Sequence, residues 1–158
     1  FRIRKGKCWL KIGIVSGFFD PVGIHHYSLF EKAKDHCDLL LAIVNNDIQL
    51  INKREGGPFL FNENERLELV KGLKWIDFAV LSIDLDNTVN KTLEKFVKYF
   101  DDACSFICDF EFYNDGDVAS KCREEKICEK LGIKCVYFGG PKTDSSSNIL
   151  KRYLEKFA

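Results

Sequence analysis

The chain has 158 residues, 46% of them hydrophobic, which is enough apolar material for one globular domain (1–158) with a sizeable core. Lysine plus arginine and aspartate plus glutamate each number 24, so the net charge is zero, and the broad field that draws a protein to nucleic acid or to an anionic membrane is absent. No apolar run approaches the roughly 20 residues of a bilayer span, and the opening FRIRKGKCWLKIGIV lacks a cleavage-site pattern, so the expectation is a cytoplasmic protein without a secretory leader.

In chain order, apolar runs alternate with helical stripes. Residues 11–16 (KIGIVS) predict a buried strand. His26, Leu29, Phe30 and Ala33 then recur at helical spacing. Residues 39–44 (LLLAIV) are a second strand, followed by polar Asn45, Asn46 and Asp47 and a loop containing KREGG. Asn62 with Glu65 forms a capping-box pattern before a helix carrying Leu67, Val70 and Leu73. A third strand covers 78–83, and Thr88 leads a helix with Leu93, Phe96, Val97 and Phe100. A short fourth strand covers 105–108, leaving 109–117 as loop. A helix over 120–131 ends at Gly132, a fifth strand covers 134–138, and Ser145 caps a last helix. Solidly apolar strands separated by helices predict an α/β fold: a parallel five-stranded sheet covered on both faces. The seven cysteines form no CxxC pair and sit mostly in apolar patterns, which points to reduced, buried thiols rather than a metal site.

In such sheets ligands bind beyond the carboxyl ends of the strands, so the segments 17–26, 45–54, 84–88, 109–117 and 139–147 are the places to look. The first holds a glycine-bearing turn, GFFDPVG, that enters a helix and exposes backbone N–H groups suited to phosphate. His26 sits in the first helical turn, where it either faces that crevice or merely begins the core stripe. Lys53 and Arg54 form either a phosphate contact or a solvated charged loop. Arg66 reaches phosphate or pairs with an acid such as Glu63. Ser145, Ser146 and Ser147 exceed the one serine an N-cap needs, and Lys151 lies about one turn on.

GFFDPVGIHH before an amphipathic helix resembles the signature G-x-F-D-P-x-H-x-G-H of the cytidylyltransferase-like nucleotidyltransferase superfamily. The resemblance continues in order through VNND (44–47), PFLFNENERLELVKGLKWIDFAV, NDGD (114–117) and SSSNILKR (145–152), and so covers nearly the whole chain. It implies a Rossmann-like fold and an enzyme that joins a nucleoside triphosphate to a phosphorylated acceptor with release of pyrophosphate. It further implies Mg²⁺ as cofactor, no protein metal ligands, catalytic roles for His26 and Lys53, and a possible homodimer. Nucleotide contacts fall on Gly17, Phe18, Phe19, Asp20, His25, Ser145, Ser146, Ser147 and Lys151, and acceptor contacts on Asp47, Arg66 and Asp117. The serine-rich ending is similar to the heptose-1-phosphate adenylyltransferases, which favours ATP and a sugar phosphate. The alternatives are CTP with an alcohol phosphate such as glycerol-3-phosphate, and a nucleotide-binding homologue with weakened catalysis. The departure from the signature is local: Gly23 stands at the first histidine position and His25 at the glycine position, while the spacing from Asp20 to His26 is kept.

Overall fold

Strands β1 (Arg2–Arg4), β2 (Lys7–Gly17), β3 (Leu39–Val44), β4 (Phe78–Leu81), β5 (Ile107–Asn114) and β6 (Lys134–Tyr137) form one sheet. The computed structural model describes residues 2–4, 7–103, 107–116, 121–139 and 145–157, and Asp117 lies outside them. Five strands run parallel in the order β4-β3-β2-β5-β6, as the apolar pattern predicts, and β1 adds an antiparallel partner to the start of β2. Helices α1 (Ile24–His36) and α3 (Glu63–Lys71) cover one face, and α4 (Asn90–Ala103) and α5 (Glu125–Leu131) cover the other. Helices α2 (Asp47–Lys53) and α6 (Ser146–Phe157) flank the carboxyl ends of the strands.

Side-chain alternation divides the core into two layers. Ile12, Ile14, Leu41, Ile43, Phe110 and Phe112 pack with Leu93, Val97 and Cys128. Val15, Leu40, Ala42, Val44 and Tyr113 pack with Leu29, Phe30, Ala33 and Val70. The cysteines whose side chains are described are free thiols that fill these layers, and burial pushes those of Cys37 and Cys135 up to about 11, so they stay protonated and unreactive near neutral pH.

Two expected loops are regular structure. The segment after β3 forms α2 because Asn46 accepts the Gln49 N–H while Gln49 returns a carbonyl to Asn46, a capping box in which Gln stands for the usual Glu. The fourth strand does not stop at 108 but runs to Asn114. Its acidic alternation, Asp109 and Glu111, reads as loop, yet Glu111 is neutralised within the sheet by Lys11 at 3.4 Å and Lys134 at 3.9 Å, while Phe110 and Phe112 face the core. Conversely, α4 begins at Asn90 rather than Thr88. Thr88 is held outside the helix by its own turn with Asp86, and the buried Asp84 carboxylate accepts from the N–H groups of Lys91 and Thr92. Gly132 ends α5 in the left-handed region at φ 71°, as its position predicts.

Candidate active site

Strand β2 has β3 on one side and β5 on the other, so the loops leaving the three strands diverge at this switch in strand order and enclose a cavity of about 470 Å³. The segment from Ser16 to Phe19, at the end of β2, lies at its centre. Phe19 adopts a positive φ of 53° and is 1% exposed, because its ring folds back over Gly17. A Cβ on Gly17 would stand 2.9 Å from that ring, so glycine is required there.

His25 and His26, in the first turn of α1, both line the cavity. The Gly23 N–H donates to His26 Nδ1 at 3.0 Å, which makes Nδ1 an acceptor and leaves the ring proton on Nε2. Phe19 meets the His26 ring edge-on at 5.0 Å, and Phe30 lies parallel to it at 6.2 Å. Burial, with the adjacent His25 adding to it, lowers the His26 pKa from 6.5 to about 3. His26 is therefore a neutral hydrogen-bond donor over the whole neutral range. The His25 ring packs on it at 3.8 Å between centroids and reaches back over Gly23, where an added Cβ would come within 2.9 Å of two His25 ring atoms and of Ile149 Cδ1. One volume thus serves either a side chain at 23 or the imidazole at 25.

The start of α6 faces the same space, with Ser145, Ser146 and Ser147 on the lining. Their hydroxyls divide the work. Ser145 Oγ accepts the Asn148 N–H at 3.1 Å as an N-cap, and Ser146 Oγ donates to the Pro21 carbonyl at 2.8 Å, tying α6 to the loop after β2. Two helix starts are thereby fixed around one cavity, and their free N–H groups and positive dipole ends suit an anion. On the β3 side, Lys53 at the end of α2 is exposed on the lining with its Nζ 4.7 Å from the centre of the Phe18 ring.

Four expected site residues lie off the lining, for reasons the packing makes plain. Asp20 is fully buried: its Oδ2 accepts from Arg54 Nη1 at 2.5 Å, and its oxygens also accept from the N–H groups of Leu60 and Phe61. Arg66 is also fully buried, its guanidinium donating to the carbonyls of Phe61, Phe18 and Asn45 and to Asp47 Oδ1 at 2.7 Å. Arg66 and Asp47 therefore brace the ends of β2 and β3 against α3. The alternative partner for Arg66, Glu63, instead accepts the Asp47 N–H. Lys151 points to solvent and pairs with Glu155. Arg54, the middle residue of the KRE triplet, lines the cavity but is committed to the Asp20 clamp.

The lining also includes Tyr113, Asn114, Asp115, Cys122 and Tyr137. Sequence reading places Tyr113, Asn114 and Asp115 in a loop, because it stops the fourth strand too early, and puts Cys122 in a helix and Tyr137 in the fifth strand; the Phe-Tyr pair continuing the apolar alternation after Glu111 is the signal that extends the fourth strand. Among the described residues no group of three or more His, Cys, Asp or Glu side chains could hold a metal ion, and the described lining carries one carboxylate, Asp115.

Comparison with known proteins gives a consistent picture. The family model described as cytidylyltransferase-like matches residues 14–150. The bifunctional protein HldE of Hyphomonas neptunium is 34% identical over 83 residues, 51% of this chain but only 16% of that protein, so the chain spans about a sixth of that relative's length. The FAD synthase of Picrophilus torridus is 25% identical over 146 residues, 91% of this chain and 96% of that protein. Among solved structures, a lipopolysaccharide core biosynthesis protein from Thermoplasma volcanium superposes with a TM-score of 0.53 at 26% identity, over 85% of this chain and 99% of that one.

Proposed function

The chain belongs to the cytidylyltransferase-like family, and from that premise we propose that it is a nucleotidyltransferase that moves an adenylyl group from ATP to a phosphorylated small molecule. The observation that carries the reading is the neutral His26 imidazole, its proton on Nε2, fixed on the lining between the starts of α1 and α6. In the reaction a phosphate oxygen of the acceptor attacks the α-phosphorus, the bond from that phosphorus to the bridging oxygen breaks, and pyrophosphate leaves with the electron pair. No side-chain nucleophile takes part. The enzyme's contribution is positioning and charge stabilisation. His26 donates to phosphate oxygens on which charge builds, His25 adds a second imidazole, and Ser147 with the free N–H groups of α6 receives the outer phosphates. Lys53 brings a positive charge from the β3 side. Mg²⁺ enters with the triphosphate, screening its charge as part of the substrate.

Adenylyl transfer is favoured over cytidylyl transfer because a relative that matches along nearly its full length is named for making FAD, an adenine dinucleotide. A sugar phosphate is the preferred acceptor on the serine-rich ending, which is similar to that of the heptose-1-phosphate adenylyltransferases. A flavin phosphate is the second reading, carried by the FAD synthase match. Pyrophosphate release, measured with ATP or CTP against sugar phosphates, glycerol-3-phosphate and flavin mononucleotide, tests all three. The expected result is release with ATP and one acceptor class, and a loss of about a hundredfold or more in His26→Ala without loss of fold. Nucleotide binding without release from any pair would make the protein a nucleotide sensor instead, and near-native turnover in His26→Ala would remove the mechanism.

A further inference from the structure

Cysteines gather on the α5–β6 side of the molecule. Cys128, on α5, is fully buried, and the half-buried Cys122 and Cys135 pack against the same apolar layer. The Cys122 and Cys135 sulfurs stand 3.9 Å apart, thiol to thiol. Their settings differ. Cys135 lies on β6, paired in the sheet with Phe112 of β5. Cys122 lies ahead of α5, outside any helix or strand, and lines the cavity together with Tyr137, Asn114 and Asp115. One thiol of the pair thus belongs to a residue on the lining, and the other is held by the sheet.

That arrangement suits a two-electron oxidation. We propose that Cys122 and Cys135 are a reversible redox modification site, joined in a disulfide by an oxidant of the peroxide class, with the cavity wall displaced as they join. The Cys122 sulfur, giving up its proton, attacks one oxygen of hydrogen peroxide. The O–O bond breaks, water leaves, and Cys122 becomes a sulfenic acid. The Cys135 sulfur then attacks the Cys122 sulfur, the S–O bond breaks, and the departing hydroxide takes the Cys135 proton as a second water. Two thiols lose two electrons, and one peroxide gains them. Burial pushes the Cys135 thiol up to about 11, which protects it from solutes. It does not need to meet one: its electrophile is the sulfur beside it, and a reactant fixed in place substitutes for a high concentration of a free one.

The sheet holds Cys135, so the closing movement falls on Cys122. A disulfide keeps its sulfurs at about 2 Å, well inside the present separation. Cys122 is also tied to the wall by its N–H, which donates to the Tyr137 hydroxyl at 3.1 Å. Drawing Cys122 towards β6 disturbs that bond and shifts the lining beside Tyr137. The consequence for ligands rests on the reading of the cavity as a triphosphate site; the disulfide itself does not.

The test treats the full chain with hydrogen peroxide, blocks the remaining thiols under denaturing conditions and maps the peptides by mass spectrometry. A Cys122–Cys135 cross-link is expected, two hydrogens lighter than the reduced pair, absent from Cys135→Ser and reversed by dithiothreitol. Equilibrium binding of ATP with Mg²⁺ is expected to weaken about tenfold in the oxidised wild type and to recover on reduction. A cross-link between other cysteines, or oxidation that stops at sulfenic or sulfinic acid on Cys122, overturns the site. An ATP affinity that is the same in the oxidised and reduced forms overturns the displacement of the wall. A Cys122–Cys135 cross-link in a chain that binds no triphosphate in either form would sustain the disulfide site and remove the triphosphate reading.

Discussion

Gly23 and His25 compete for one volume, and that competition turns an apparent defect of the motif into a rearrangement. The Cβ that any other residue would carry at 23 collides with the His25 ring and with the tip of Ile149. His25 thereby places an imidazole on the cavity lining beside His26, from a position two residues later than the family signature has it. Exchange of the two residues follows as a test. Gly23→His alone is expected to lower turnover about a hundredfold through that collision, and His25→Gly alone by a comparable factor through loss of a donor. The double variant, with the collision relieved and the imidazole restored at 23, should recover most of the loss in a steady-state assay. A double variant no better than either single one would show that the two positions do not share a role. None of this is legible in the sequence, where the histidines are merely adjacent; the direction of each ring depends on Gly23 capping α1 and on Ile149 arriving from α6.

At the scale of elements, the cavity is held open by two ties that join distant segments. Ser146 binds α6 to Pro21, and Asp20 binds the segment from Arg54 to Phe61 to the loop after β2. Asp20 is the stronger tie, because its carboxylate and the Arg54 guanidinium are 0% and 11% exposed. Removing one member of such a pair leaves a buried charge, so Asp20→Ala is expected to destabilise the fold by about 3–5 kcal/mol in urea unfolding, with part of that restored when Arg54→Leu is added. A loss under about 1 kcal/mol would show the pair to be solvent-screened. Sequence reading assigned Asp20 to the nucleotide because GFFDPVGIHH resembles the family signature, in which this aspartate is part of the motif. What placed it inside is the pair of N–H groups of Leu60 and Phe61, brought by a turn 40 residues away. Helix α2 and the second half of β5 escaped for a different reason. Seven residues are too few to show a helical period, and an acidic alternation reads as exposed until Lys11 and Lys134 flank it in the sheet.

For the molecule as a whole, the half-buried neutral histidine links stability to pH. With a folded pKa near 3 against 6.5 in the unfolded chain, His26 takes up a proton on unfolding at any pH between those values. Its contribution is complete above 6.5 and is lost as the pH falls towards 3, with a limiting slope of about 1.4 kcal/mol per pH unit. Between pH 6 and pH 5, above most carboxylate titrations, the wild type should lose about 1 kcal/mol relative to His26→Asn, read from paired urea curves. Equal slopes would mean that His26 is accessible to protons in the folded state.

The sequence by itself determined the parallel α/β sheet, the capping of α3, α5 and α6, and the segments that end at the cavity, because apolar period and cap chemistry act over a few residues and need no distant partner; the family followed from the resemblance of its ordered motifs. Only the tertiary structure decided which residues of those segments face the cavity. Asp20 and Arg66 were drawn inward as braces, with the half-buried Asp47 holding Arg66, since a buried carbonyl or guanidinium has to be satisfied by whatever the fold brings near it. Cys122 was brought beside Cys135, and His25 was turned over Gly23. These assignments rest on contacts spanning up to 125 residues, such as Ser146 to Pro21, which no local pattern encodes.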